Sequence, residues 1–373
     1  MQIKNGRVFC ADGTFHDADV FAEGDRIAAA AGGETLDAKG CIVAPGFVDC
    51  HIHGAHRHDF CEGTDAANGD IAAYLASVGV TSYLGTTMAM EKDVLRAILK
   101  SAKHFMDVPE PGRAVMRGVN LEGPFASKEK KGAMQETLLL LPDFDFLCEL
   151  DALCGGRIIF ADVAPELPGG MDFVRAASEK YVVSIAHSAA DYDTAKEAFL
   201  NGASHVTHLY NAMMPFSHRA PGLIGAAMDY ARDVELISDG IHVHPSAVRA
   251  AFRLFGDDRV CLISDAMMAC GMPNGAYELG GQDVTVKDGL ATLANGTIAG
   301  SATPLSECFR RAVKEFDIPL VSALKAATIN PARAARLDGD VGSIAVGKRA
   351  DFTLLDGDTL RVRHCVVGGA LVF

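Results

Sequence analysis

The chain has 373 residues, and 34 Lys and Arg against 48 Asp and Glu give a formal charge of −14. Hydrophobic residues make up 49% and charged residues 22%, which excludes a disordered or fibrous chain and fits one large α/β domain, alone or with a smaller companion. The acidic balance excludes a generic nucleic-acid or anionic-membrane surface, but it is compatible with a local pocket for a small anion.

In chain order, residues 3–9, 18–22 and 26–30 read as short strands between Gly and Asp turns. Eight apolar runs follow, at 42–48, 80–87, 114–121, 157–163, 181–186, 205–207, 234–237 and 260–263. Helical patterns separate most of them, as at 70–77, 93–105, 172–180, 192–201 and 246–255. Eight strands alternating with helices is the count that closes a (β/α)8 barrel. A β-hairpin is expected at 283–298, then helices at 306–316 and 320–328. Strands return at 352–355 and 365–373. The fold class expected is α/β, a (β/α)8 TIM-like barrel with a small β-sandwich built from both termini. Residues 1–45 and 336–373 form the sandwich, and 46–335 the barrel.

The 10 Cys include no CxxC pair and read as reduced core thiols. Residues 1–6 lack an apolar signal run, and no stretch approaches the roughly 18 apolar residues of a membrane span. A cytoplasmic protein with no nucleic-acid or membrane partner is expected. There is no GxGxxG opening a helix, no P-loop and no GxSxG elbow.

The C-terminal ends of barrel strands carry chemistry, and here nearly every run ends in a titratable or metal-competent residue. The first ends in Asp49-Cys50-His51-Ile52-His53, the third in Glu122-Gly123-Pro124 and the fifth in His187-Ser188. The sixth ends in His208, the seventh in Asp239-Gly240-Ile241-His242 and the eighth in Ser264-Asp265. On an extended strand His51 and His53 share one face and can chelate one cation; the competing reading is two loop histidines. Asp49, on the same face, would orient a ligand or bind weakly. His56 and His58 read as solvent-facing or supporting groups. Glu122 is a helix-start residue or a ligand, and His187 and His208 favour the ligand, because Glu plus two His with an open position is a catalytic zinc set. Asp265 is a cap or a proton acceptor beside water. Arg219, in a turn-rich loop, would hold a phosphate or pair with a carboxylate. The lysines Lys128, Lys130 and Lys131 read as a solvated face.

Pro45-Gly46-Phe47-Val48-Asp49-x-His51-x-His53-Gly54 resembles the first-strand signature of the amidohydrolase superfamily. Leu121-Glu122-Gly123-Pro124-Phe125, Ala186-His187-Ser188, His208-Leu209-Tyr210-Asn211-Ala212-Met213, His218-Arg219-x-Pro221-Gly222, Asp239-Gly240-x-His242 and Ser264-Asp265-Ala266 together resemble the N-acetylglucosamine-6-phosphate deacetylase family. The likeness runs on to Ala299-Gly300-Ser301 and Asn330-Pro331-Ala332-Arg333, so it spans nearly the whole chain. It implies metal-dependent hydrolysis of the acetamide of N-acetylglucosamine 6-phosphate. Glu122, His187 and His208 would be the principal metal ligands and His51 and His53 a second pair, for one or two ions. Zinc is expected, with iron or cobalt as alternatives. The resemblance makes Asp265 the catalytic acid and base, and Asn211, the Ala212 amide and Arg219 the phosphate contacts. It also implies a homodimer in which His242 reaches the neighbouring active site. One departure stands out: where some members carry a His that holds the sugar amide, this chain has Met134, or Gln135 if the register slips by one. Alternatives are an amidohydrolase acting on another acetamido sugar phosphate, such as the galactosamine isomer, and a non-catalytic assembly protein of the same fold.

Overall fold

The computed structural model describes residues 1–373. Eight parallel strands run in the order Phe47–Ile52, Val80–Thr86, Val115–Leu121, Ile158–Val163, Val182–Ile185, His205–Val206, Asp233–Ile237 and Val260–Ile263. Helices cover them, so most strands are buried on both faces, which is why they read as continuous apolar runs. The helices are amphipathic by spacing: Lys92–Asp107 buries Leu95, Ile98, Leu99 and Ala102. Caps set where they begin. The Thr64 side chain accepts the Ala67 N–H ahead of Asp65–Ser77, and Pro245 opens Pro245–Phe255 at the position where a missing N–H costs nothing.

The first and last strands meet. Asp265 donates its N–H to His51 O at 3.0 Å, and His53 donates to Ala266 O at 2.9 Å. Asp49 reinforces this seam: Ser264 donates its hydroxyl to Oδ2 at 2.6 Å and its N–H to Oδ1 at 3.2 Å. Asp49 therefore ties the barrel shut rather than joining the ligands.

Both chain ends build a second eight-stranded sheet, in which Cys41–Pro45 lies between Phe352–Asp356 and Gln2–Phe9. Gln2–Phe9 bends, pairing with Thr35–Asp37 at one end and with Ile42 and Val43 at the other. The sheet folds over its own apolar cluster, including Ile3, Val20, Ile27, Val43, Phe352 and Leu354, as a small sandwich does.

Two expectations need correction. The apolar run 42–48 is two strands, Cys41–Pro45 in the terminal sheet and Phe47–Ile52 in the barrel. Gly46 makes the crossing, where a Cβ would lie 2.0 Å from Thr81 Oγ1. The hairpin expected at 283–298 is a three-stranded sheet of Gly275–Leu279, Gln282–Lys287 and Leu290–Thr292. Its alternation begins earlier, and 293–298 is not strand.

Candidate active site

Five strand ends bring their side chains together at the C-terminal mouth of the barrel. Glu122 Oε1 lies 2.9 Å from His187 Nε2 and 3.0 Å from His208 Nε2. Its Oε2 lies 3.1 Å from His53 Nε2 and 3.6 Å from His51 Nε2. Asp265 Oδ1 stands 3.3 Å from His53 Nε2 and 3.6 Å from His51 Nε2. All six groups are buried. They form two donor groups that share Glu122: His51 with His53, and His187 with His208.

The backbone is shaped for this convergence. His187, His208 and Asp265 have φ of 45°, 31° and 46°, in the left-handed region that non-glycine residues rarely occupy. Such a conformation costs roughly 1–3 kcal/mol per residue, held by the surrounding fold. It ends the strand abruptly and turns each side chain toward the barrel axis.

The far nitrogens of three imidazoles are engaged outward. His51 Nδ1 bonds Glu235 Oε2 at 2.9 Å, His53 Nδ1 bonds Thr86 O at 3.2 Å and His187 Nδ1 bonds Lys130 O at 2.8 Å. Carbonyls and an ionised carboxylate only accept, so each Nδ1 carries a proton and each Nε2 points inward. Burial opposes charge on His51, His53, His208, Glu122 and Asp265, but the opposite charges outweigh it. His53 is pushed down by burial, then up to about 10 by Asp265 and Glu122. Glu122 and Asp265 are pushed up by burial, then held below the usual carboxylate range by the histidines.

A cavity of about 220 Å³ opens over these groups. Asn211, Ala212 and His242 line it, as do Met88, Met134 and Leu279. His242 gives its Nδ1 to Asp239 Oδ2 at 2.7 Å, and its side chain is 6% exposed. It is enclosed in its own chain's cavity. Arg219 is exposed and is not part of the lining, so within one chain it is not brought to the site. Met134 faces the cavity, whereas Gln135 donates its Nε2–H to Gly280 O at 3.2 Å. His56 stacks on Tyr74 and His58 faces Glu62 and Asp70, both away from the donors.

Sequence reasoning missed Glu235. This fully buried carboxylate touches His51, the His208 backbone N–H and His205. The available signal was an acidic residue inside an apolar strand, which needs partners to be buried at all.

The profile of the Amidohydrolase family matches residues 42–372. The chain is 37% identical to an N-acetylglucosamine-6-phosphate deacetylase of Lysinibacillus sphaericus, over 95% of this chain and 93% of the relative. Its fold matches the crystal structure of N-acetylglucosamine-6-phosphate deacetylase from Pasteurella multocida with a TM-score of 0.93 and 29% identity, covering 99% of this chain and 98% of that one. A mutant of the Mycobacterium smegmatis enzyme, in complex with N-acetyl-D-glucosamine-6-phosphate, matches with a TM-score of 0.92 and 30% identity, covering 100% of this chain and 99% of that one. The chain belongs to the amidohydrolase family.

Proposed function

We propose that this chain hydrolyses the N-acetyl group of N-acetylglucosamine 6-phosphate, giving glucosamine 6-phosphate and acetate. The observation that carries this reading is the pair of donor groups sharing Glu122, with Asp265 beside them in one small cavity. Relatives 37% identical to the chain are named for that activity.

The donors suit a divalent cation. His187 Nε2 and His208 Nε2 are 3.0 Å apart and both face Glu122 Oε1. Glu122 is a buried carboxylate that draws positive charge from the histidines around it, and a cation at their centre would supply that charge with the imidazoles as neutral ligands. Glu122, His187 and His208 would hold one ion, and His51 and His53 with Glu122 a second. Nitrogen and carboxylate ligands favour zinc, with iron and cobalt as alternatives. Such an ion supplies Lewis-acid polarisation of the amide carbonyl and of water.

The protein's own groups do the rest. Asp265 is ionised beside His53, so it accepts the proton of the attacking water and returns it to the leaving nitrogen. His242 is lowered by burial but raised further by Asp239, which favours the imidazolium. With Nδ1 engaged, its Nε2 is left for the phosphate, and Asn211 and the Ala212 N–H line the same cavity. Phosphate binding remote from the amide fixes the approach of the reacting carbonyl. Met134, Met88 and Leu279 give the sugar an apolar wall. In this reading the barrel, residues 46–335, holds the whole site, and residues 1–45 with 336–373 brace it. A homodimer is part of the proposal, supported by Phe216, 50% exposed, and the exposed Arg219 on the loop after His208.

The test is acetate release from N-acetylglucosamine 6-phosphate, beside unphosphorylated N-acetylglucosamine and N-acetylgalactosamine 6-phosphate, with and without a chelator. Chelator-sensitive release from N-acetylglucosamine 6-phosphate alone is expected. Equal turnover of the galactosamine isomer moves the substrate. No release from any of the three, with zinc bound, overturns the reading.

A further inference from the structure

Five strand ends supply the donors and Asp265; Asp233–Ile237 meets them through its middle. There Glu235 is fully buried, and one oxygen does two things. Oε2 accepts His51 Nδ1–H at 2.9 Å and the backbone N–H of His208 at 3.1 Å. The Glu235 carbonyl also accepts the Leu209 N–H at 2.9 Å, so side chain and main chain brace the same left-handed turn. The other oxygen, Oε1, lies 3.2 Å from His205 Nε2 and accepts the Cys50 thiol at 3.9 Å. His205 Nδ1 is bonded to Asp233, which Arg232 Nε meets at 2.7 Å.

We propose that Glu235 is a positioning residue that couples the two donor groups, fixing the ring of His51 and the main chain of His208 with one carboxylate oxygen, and that His205 and Asp233 hold Glu235 in place. The proposal rests on reading the donors as a cation site. An apolar side chain of similar size would fill the strand interior. It would not decide which nitrogen of His51 carries the proton, nor hold His208 at its unusual φ. Because His51 belongs to one donor group and His208 to the other, a shift of Glu235 moves both.

The experiment titrates metal-free protein with Zn²⁺ and, for its visible spectrum, with Co²⁺. Wild type is compared with Glu235→Gln and His205→Gln, and the melting temperature of each metal-free protein is recorded. Glu235→Gln should weaken zinc affinity roughly 10–100-fold and change the Co²⁺ absorption, with metal-free melting within a few degrees of wild type. His205→Gln should move both readouts the same way by less. A purely structural role would lower melting and leave the affinity of the folded protein alone. Affinity within twofold of wild type in folded Glu235→Gln overturns the proposal. If only His205→Gln folds, its affinity decides; if neither folds, Glu235 is a packing residue and the proposal fails. Metal binding needs no substrate, so a protein that turns over no sugar phosphate but loses zinc in Glu235→Gln refutes the deacetylase reading and leaves this one standing.

Discussion

Glu122 Oε2 lies 3.1 Å from His53 Nε2, while the other oxygen of the same carboxylate faces His187 and His208. One side chain from the third strand therefore joins histidines from the first, fifth and sixth. Removing it would separate the two donor groups, whereas removing any one histidine would leave three.

Asp265 touches the reacting atoms in the proposed reaction but is not needed to hold Glu122, His187 and His208. Asp265→Asn should lower kcat by about 10²–10⁴ and leave zinc content unchanged. Steady-state kinetics with elemental analysis checks this, and near wild-type turnover would remove Asp265 from its role.

His242 is enclosed in the cavity with Nδ1 occupied, so its effect should appear only with a phosphorylated substrate. A charged hydrogen bond contributes about 1.5–3 kcal/mol, so His242→Gln should raise KM for the sugar phosphate roughly 10–100-fold at similar kcat. Turnover of the unphosphorylated sugar should not change. An equal loss on both sugars would place His242 away from the phosphate.

His205 gives stability a pH dependence. Burial lowers its pKa, but Asp233 and Glu235 raise it further, to about 9 from an ordinary 6.5. Below pH 6.5 the imidazole is protonated whether the chain is folded or not. Between 6.5 and about 9 only the folded chain keeps the proton, so stability falls as pH rises through that window. Melting of metal-free protein across this range should fall more steeply for wild type than for His205→Gln. Parallel curves would count against the assignment.

Gly46→Ala tests the crossing between the sheets. The new Cβ would meet Thr81, a fully buried strand residue with no room to turn away. A loss of about 1–3 kcal/mol in urea unfolding is expected. An unchanged midpoint would mean that the crossing shifts freely.

The histidines and Glu122 are legible because each ends an apolar run, where a polar side chain has few structural reasons to stand. Glu235 is not, because it stands inside such a run and only the fold shows what surrounds it. The run at 42–48 misleads for a related reason: burial looks the same in either sheet, and Gly46 carries no pattern of its own. The placement of His242 depends on how Asp239 folds the turn back on itself, through N–H bonds from Ile241 and His242 that no spacing reveals.

The seam between the first and last strands also sets when the site can exist during synthesis. His51 and His53 leave the ribosome early, but Asp265 and the main chain that closes over them arrive more than two hundred residues later. Until Ser264 reaches Asp49, a growing chain holds donors without their proton acceptor. An interrupted translation product ending before that point would be chemically inert, however well its earlier strands had paired.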